Sequence, residues 1–343
     1  FKEFSMTRLL SLLILLFSIT AGLPTLQAAS VEELRKSAGQ GDSASQFSLA
    51  QRYEAGKGVE QDPAKAAEWY RKAARQGHAR AQTNLGNLYR SGVGLKQDFG
   101  EALSWYRKAA AQGDTKAQIN IAMMYASGMG VEKDSSEGLN WLQRAADAGD
   151  TQAMVHLGTL YRTGKGVEKD YARSTQWFRT AAEKGDTVAQ QNLGLSYFKG
   201  RGVEQNYSES VKWHRKAADK GYPPAEYSMA LRYAKGKGVG QNYGEAVNWY
   251  RKAARHGHPD AQNNLALMYR KGQGVNQDYG EALAWFEKAA ERGHPQAQYN
   301  LGNMYLKGRG TPRNPEEAEK WFRKAAQSKH KGATKALKAL EGG

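Results

Sequence analysis

Residues 261–293 read AQNNLALMYRKGQGVNQDYGEALAWFEKAAERG. Ala261, Leu265, Ala266 and Tyr269 fall at i, i+4, i+5 and i+8, on one face of an α-helix. RKGQGVNQ follows, a loop with two glycines. In DYGEALAWFEKAAERG, Ala282, Trp285, Ala289 and Ala290 share a face of a second helix, and Gly293 closes the stretch. The same frame recurs through the chain. Its eight tryptophans, Trp69, Trp105, Trp141, Trp177, Trp213, Trp249, Trp285 and Trp321, stand 36 residues apart without insertion or deletion. Such a period marks a solenoid, whose units bury their apolar faces only by stacking on neighbours. The predicted class is all-α: an α-solenoid of eight 36-residue helix-turn-helix repeats spanning 45–332.

Other residues keep the period. A tyrosine recurs from Tyr53 to Tyr305, and an alanine pair from Ala73-Ala74 to Ala325-Ala326. Small residues let helix axes approach, with Trp and Tyr filling the gaps beside them. Each Trp is expected to stabilise its unit by roughly 2–3 kcal/mol through burial. Two loop glycines recur in every unit, as in Gly56 and Gly58, where φ > 0 is expected. Asp62, Asp98, Asp134, Asp170, Asn206, Asn242, Asp278 and Asn314 stand as N-caps of the second helices. Glu101, Glu137, Glu209, Glu245, Glu281 and Glu317 follow at capping-box spacing, and Pro63 and Pro315 sit at N1.

The ends differ from the array. Phe1–Ser5 read as stray residues ahead of Met6. From there a lone Arg8, an apolar run from Leu9 to Phe17 and small residues Ala28, Ala29 and Ser30 form a secretory signal peptide, so 1–29 is assigned to export. Its core is short for a membrane span, and an uncleaved N-terminal anchor is the alternative. Residues 30–44 echo the end of a repeat without its Trp and are expected to be a capping helix; 333–343, rich in Lys, form the C-terminal cap. The last full unit has Lys329 where the others close on glycine.

Composition narrows the function. Without cysteine there is no disulfide framework, thiolate metal site or Cys nucleophile. A formal charge of +16 suits anionic partners: acidic proteins, a lipid surface or nucleic acid. An export signal argues against nucleic acid. The seven histidines lack metal spacing and read as surface-loop residues; His214 replaces the aromatic that usually follows Trp. Ser196-Tyr197-Phe198-Lys199 matches a β-lactamase serine–lysine motif, but the partner motifs are missing. No catalytic residue, metal site, cofactor or small-molecule substrate is expected.

The pattern A-x-x-x-L-G-x-x-Y-x-x-G-x-G-V-x-x-D-x-x-x-A-x-x-W-Y-x-x-A-A-x-x-G resembles the Sel-one-like repeat, a relative of the tetratricopeptide repeat. The resemblance implies a right-handed superhelix of antiparallel helix pairs, used as an adaptor or scaffold in bacterial envelope processes and protein quality control. It implies no enzyme. A branch stapled by a Cys pair per repeat has been linked to penicillin binding, and this chain departs from it in having no Cys.

By the same resemblance, the ligand would lie on a concave face lined by first helices. In the second unit that stripe holds Thr83, Asn84, Asn87 and Arg90. Asn recurs at the fourth place, as Asn84, Asn120, Asn192, Asn264 and Asn300, with Asn87 and Asn303 at the seventh. Basic residues follow: Arg90, Arg162, Lys199, Lys235, Arg270, Lys271 and Lys307. Amides suit a peptide backbone, and arginine suits a carboxylate. Along the seventh place Met123, Thr159, Leu195, Leu231 and Leu267 make the middle apolar, extended by Ile119 and Val155. The structural alternatives are that the fourth-place Asn bonds the backbone of the preceding unit and that the apolar residues pack between first helices. Arg-Lys pairs such as Arg71-Lys72 and Arg251-Lys252 suggest a basic ridge on the second helices, a solvated face or an attraction to an anionic envelope surface.

The expected function is an exported scaffold, periplasmic if the source is Gram-negative, binding a protein or peptide, acidic by charge. The alternatives are a cell-wall or β-lactam-acting enzyme and a basic-surface binder of anionic lipid or nucleic acid.

Overall fold

The computed structural model of the chain describes residues 30–341, and the signal assigned to 1–29 lies outside them. The described residues form eighteen helices and no strand. The chain divides into two compact units, one ending at Lys133 and the other beginning at Asp134, inside the third repeat. The first holds α1 (Val31–Gly39), α2 (Ser43–Ala55), α3 (Pro63–Arg75), α4 (Ala79–Ser91), α5 (Phe99–Ala111) and α6 (Thr115–Ser127). The second holds α7 (Ser135–Asp147), α8 (Thr151–Thr163), α9 (Tyr171–Glu183), α10 (Thr187–Lys199), α11 (Tyr207–Ala218) and α12 (Pro223–Lys235). It continues through α13 (Tyr243–Arg255), α14 (Pro259–Lys271), α15 (Tyr279–Glu291), α16 (Pro295–Lys307), α17 (Pro315–Gln327) and α18 (Lys331–Glu341). Within each unit a helix packs chiefly on the helices before and after it in the chain, which makes the fold an all-α solenoid.

Capping sets the helix starts. All eight expected Asp and Asn residues cap their second helices; Asp98 Oδ1, for example, accepts from the Glu101 amide at 2.9 Å. The glutamates three residues on do not complete the box seen at α1, where Ser30 and Glu33 bond each other's backbone amides. Instead the carboxylates of Glu101 and Glu281 accept from the indoles of Trp105 and Trp285, both at 3.1 Å. The first helices use a cap the sequence reading missed. His78, His258 and His294 stand in the turn just ahead of a first helix, as expected of loop residues, but each Nδ1 accepts from the backbone amide three residues on.

The loops demand glycine for two reasons. Gly202 has φ of 71°, and a Cβ there would run into the Tyr171 carbonyl. Lys329, which replaces the closing glycine of the last repeat, is held at φ of 59°. It is the one non-glycine residue at positive φ among the described residues, a strain of about 1–2 kcal/mol.

The core corrects the reading of the tryptophans. Of the eight, only Trp249 is buried, at 5% exposure, and the others are half-buried. The residue after each Trp is the core residue: Tyr70, Tyr106, Leu142, Phe178, His214, Tyr250, Phe286 and Phe322 are all buried. It meets the Leu85, Leu193 and Leu265 series of the first helices, also fully buried. One step along a helix turns a side chain by about 100°, enough to move it off the core-facing side. The indole keeps one face for a cation three residues on. Lys72, Lys108, Lys216, Lys252, Lys288 and Lys324 place Nζ 3.9–4.3 Å from the Trp ring centroids, and Arg144 lies 4.7 Å from Trp141.

The basic ridge is therefore largely spent on structure. In four of the pairs the arginine reaches the next repeat's tyrosine: Arg71 to Tyr89 at 3.3 Å, Arg107 to Tyr125 at 3.0 Å, Arg215 to Tyr233 at 2.8 Å and Arg251 to Tyr269 at 3.1 Å. A glutamine early in the first helix ties the repeats again. Nε2 of Gln82, Gln190, Gln262 and Gln298 donates to the last carbonyls of the preceding second helix at 3.0–3.2 Å.

The fifth repeat is unusual. His214 takes the ring position against Gly194 of α10, is fully buried, and meets Ser210 Oγ at 3.3 Å through Nδ1. Burial first, and the Arg232 charge on α12 second, push its pKa down to about 3. Arg232 itself occupies a core position, with its guanidinium 3.4 Å from the Phe198 ring centroid, and burial pulls its pKa to about 10.

Two outcomes follow from this core. Phe286→Ala should lower stability by about 3–5 kcal/mol in urea or thermal melts, and Trp285→Ala by roughly half as much or less. In the unfolded chain His214 titrates near its usual 6.5. As pH falls, the unfolded state takes up the proton first, so stability is full above that value and drains away between about 6.5 and 3. Ser210→Ala with His214→Phe copies the Ala282 and Phe286 pair of the seventh repeat; melts from pH 7 to pH 4 should show a shallower acid loss than the parent.

Candidate partner-binding surface

In the first unit, the expected contact residues form a chain of hydrogen bonds across α4, α5 and α6. Arg90 Nε donates to Tyr106 Oη at 3.3 Å, which donates to Asn87 Oδ1 at 2.7 Å. Asn120 Nδ2 donates to the same Asn87 oxygen at 3.0 Å. Burial raises the Tyr106 pKa, so the phenol stays protonated and keeps its role as donor. Asn84 Nδ2 donates to Tyr70 Oη at 3.0 Å, and that hydroxyl donates to Glu54 at 2.5 Å. Met123, 40% exposed, is the expected contact residue that faces solvent here. Thr83 and Ile119, placed on the ligand stripe by spacing, are buried at 3% and 7%.

The second unit repeats the theme. Asn264 lies 3.4 Å from both Tyr227 Oη and Tyr250 Oη, and Asn300 donates to Asn263 Oδ1 at 3.0 Å. Asn192 and Asn303 bond carbonyls of their own helices, Val188 and Tyr299. The fourth-place Asn thus does not bond the backbone of the preceding unit, as the structural alternative supposed. It is engaged with tyrosine hydroxyls, other amides or its own helix, because the phenols protruding from the core need partners once buried. Burial raises the pKa of Tyr227 and pushes that of Tyr250 up to about 12.

What remains open in the second unit is narrower. Leu195, Leu231 and Leu267 hold one position of the successive first helices α10, α12 and α14 and are half-buried. Lys199, Lys235, Lys271 and Lys307, one turn on, are exposed. Arg162 and Arg270 are half-buried; burial lowers the Arg270 pKa, and its guanidinium lies 5.9 Å from the Phe286 ring. Arg162 Nε is buried without a partner.

The serine–lysine motif is not assembled at this surface. Ser196 of the serine–lysine motif is buried and accepts from Thr175 Oγ1 at 3.1 Å, whereas Lys199 is exposed. Among the described residues no group of three or more His, Cys, Asp or Glu side chains could hold a metal ion.

The Sel1 repeat model matches residues 43–78, 79–114, 115–150, 151–186, 187–222, 223–258, 259–294 and 295–330. These units start two residues ahead of the frame counted from Ser45. A Sel1 repeat protein from Oxalobacter formigenes is 36% identical, with a TM-score of 0.74 and 92% of each chain covered. A protective antigen of uropathogenic Escherichia coli strains, displaying an SLR fold, is 34% identical with the same TM-score; 91% of this chain and 67% of that one are covered. No curated protein matches the chain. Proteins of this family are in general protein-interaction scaffolds. Eight consecutive matches, each a helix pair with its caps and loop glycines in register, show that the chain belongs to the Sel1 repeat family.

Proposed function

We propose that the chain is an exported, non-enzymatic scaffold that holds an acidic protein or peptide segment against its first helices. The observation that carries this reading is the register of Leu195, Leu231 and Leu267, each followed one turn on by exposed Lys199, Lys235 and Lys271. Apolar side chains half-open to solvent give contact area, and a lysine beside each gives charge complementarity. Asn264 fixes Tyr227 and Tyr250, and Asn300 bonds Asn263, so in this reading these asparagines lend the surface rigidity more than direct contact. The formal charge of +16 favours an acidic partner.

Lys199→Glu, Lys235→Glu, Lys271→Glu and Lys307→Glu combined should cut capture of a cross-linked envelope partner by roughly tenfold or more, with helicity and melting unchanged. Undiminished capture would refute the surface. Retention of anionic vesicles that ignores these changes and fades with salt would favour the lipid reading, and nitrocefin turnover or a covalent penicillin adduct the enzymatic one.

The export half of the proposal rests on Arg8, the Leu9–Phe17 run and the small residues at 28–30. N-terminal sequencing of chain recovered from the envelope should start at Ala29 or Ser30; a chain retaining the Leu9–Phe17 run would make the segment an anchor.

A further inference from the structure

Two periodic features fail together where the third repeat meets the fourth. The arginine that bonds the next tyrosine is replaced by Gln143, whose amide donates instead to Asp147 at 2.8 Å. The lysine or arginine that covers each tryptophan is replaced by Thr180, whose hydroxyl turns back to the Gln176 carbonyl at 3.1 Å. Trp177 is consequently the one tryptophan of the eight with no cation over its ring among the described residues. What the two missing side chains leave is a cleft of about 410 Å³ lined by Gln143, Tyr161, Arg173, Gln176, Trp177 and Thr180.

Arg173 does not fill it. Its guanidinium lies 3.4 Å from Asp170 and 5.6 Å from the Tyr161 ring centroid, so its charge is already matched and its ring partner is the tyrosine. Three repeats earlier both contacts are made: Arg35 reaches Tyr53 Oη at 3.4 Å, and Lys72 lies 3.9 Å over Trp69.

We infer that the cleft at Trp177 is a binding site for a lysine side chain of a partner protein. The protein supplies the template for this ligand. The same indole face is covered by an ammonium about 4 Å from the ring centroid in six other repeats. At Trp177 the ammonium must come from outside. Gln143 and Gln176, whose amides can accept from an ammonium, line the cleft, and the Asp147 carboxylate lies one turn beyond Gln143. The site lies on the second helices α7 and α9 with Tyr161 of α8, and shares no residue with the Leu195, Leu231 and Leu267 surface described above.

Indole ¹⁵N–¹H spectra of the full chain test this, with Trp177→Phe assigning the resonance. Titration with Nα-acetyl-lysine amide should shift the Trp177 signal and leave the other tryptophans still. The affinity should exceed that for Nα-acetyl-norleucine amide by roughly three- to tenfold. Thr180→Lys, which installs the cation six sister repeats carry, should abolish the response while preserving the circular dichroism and melt. The assignment is overturned if the Trp177 signal stays still or if norleucine moves it equally. A stronger response to choline or to Nα-acetyl-glutamate amide overturns it too, as does a Thr180→Lys chain that still responds.

Discussion

A helix pair of 36 residues cannot bury its own apolar face, and everything periodic in this protein answers that constraint. The second helix of each pair drives one large side chain, Tyr70 or Phe286 for example, into the space against its own first helix. Where that first helix carries glycine, as at Gly86, Gly158, Gly194 and Gly302, the ring sits directly on the backbone. The alanine pairs then let the next first helix approach the other side. With the interior used this way, the polar tips of the rings must find partners near the surface, and the asparagines of the first helices provide them.

The same constraint explains how so basic a chain stays compact. A formal charge of +16 opposes folding through self-repulsion unless the cations are put to use. Here arginines clasp the tyrosine of the following repeat and lysines cover the indoles. Each contact is worth only about 0.5–1 kcal/mol at an exposed site, but it recurs with the repeat. The aromatic series of the second helices therefore splits by task. The indole takes a cation at the rim, and its neighbour fills the core.

Much of the fold was legible in the sequence because its signals are local. An aspartate at an N-cap or a glycine at positive φ acts through the backbone within a few residues, and those readings need no knowledge of neighbours. The core position was harder. Trp is the larger and more regular residue, so spacing alone pointed to it, whereas which of two adjacent side chains faces inward depends on helix phase against the next helix. The histidine caps and the Gln82-type ties were missed for a related reason: their meaning lies in carbonyls and amides that only packing brings near. The candidate surface was the least legible. Thr83 and Asn87 sit one turn apart on α4, yet one is buried and the other is a junction of three side chains.

In a repeat protein, residues that keep the period are mostly explained by stacking, since every copy must stack. Function has to be sought where a copy gives up a contact that its sisters keep. His214 and Arg232 give up apolar packing in the fifth and sixth repeats, but both are sealed in the core, and the acid loss of stability that His214 brings opens no path to solvent. Gln143 and Thr180 are different. They sit at the rim and fall in one place; Gln143 removes the arginine donor from the tyrosine hydroxyl, and Thr180 removes the cation from the Trp177 ring, which remains. An aromatic face left bare beside matched charges is stable when empty and gains when a cation arrives, which is the energetic profile of a docking point rather than of a defect.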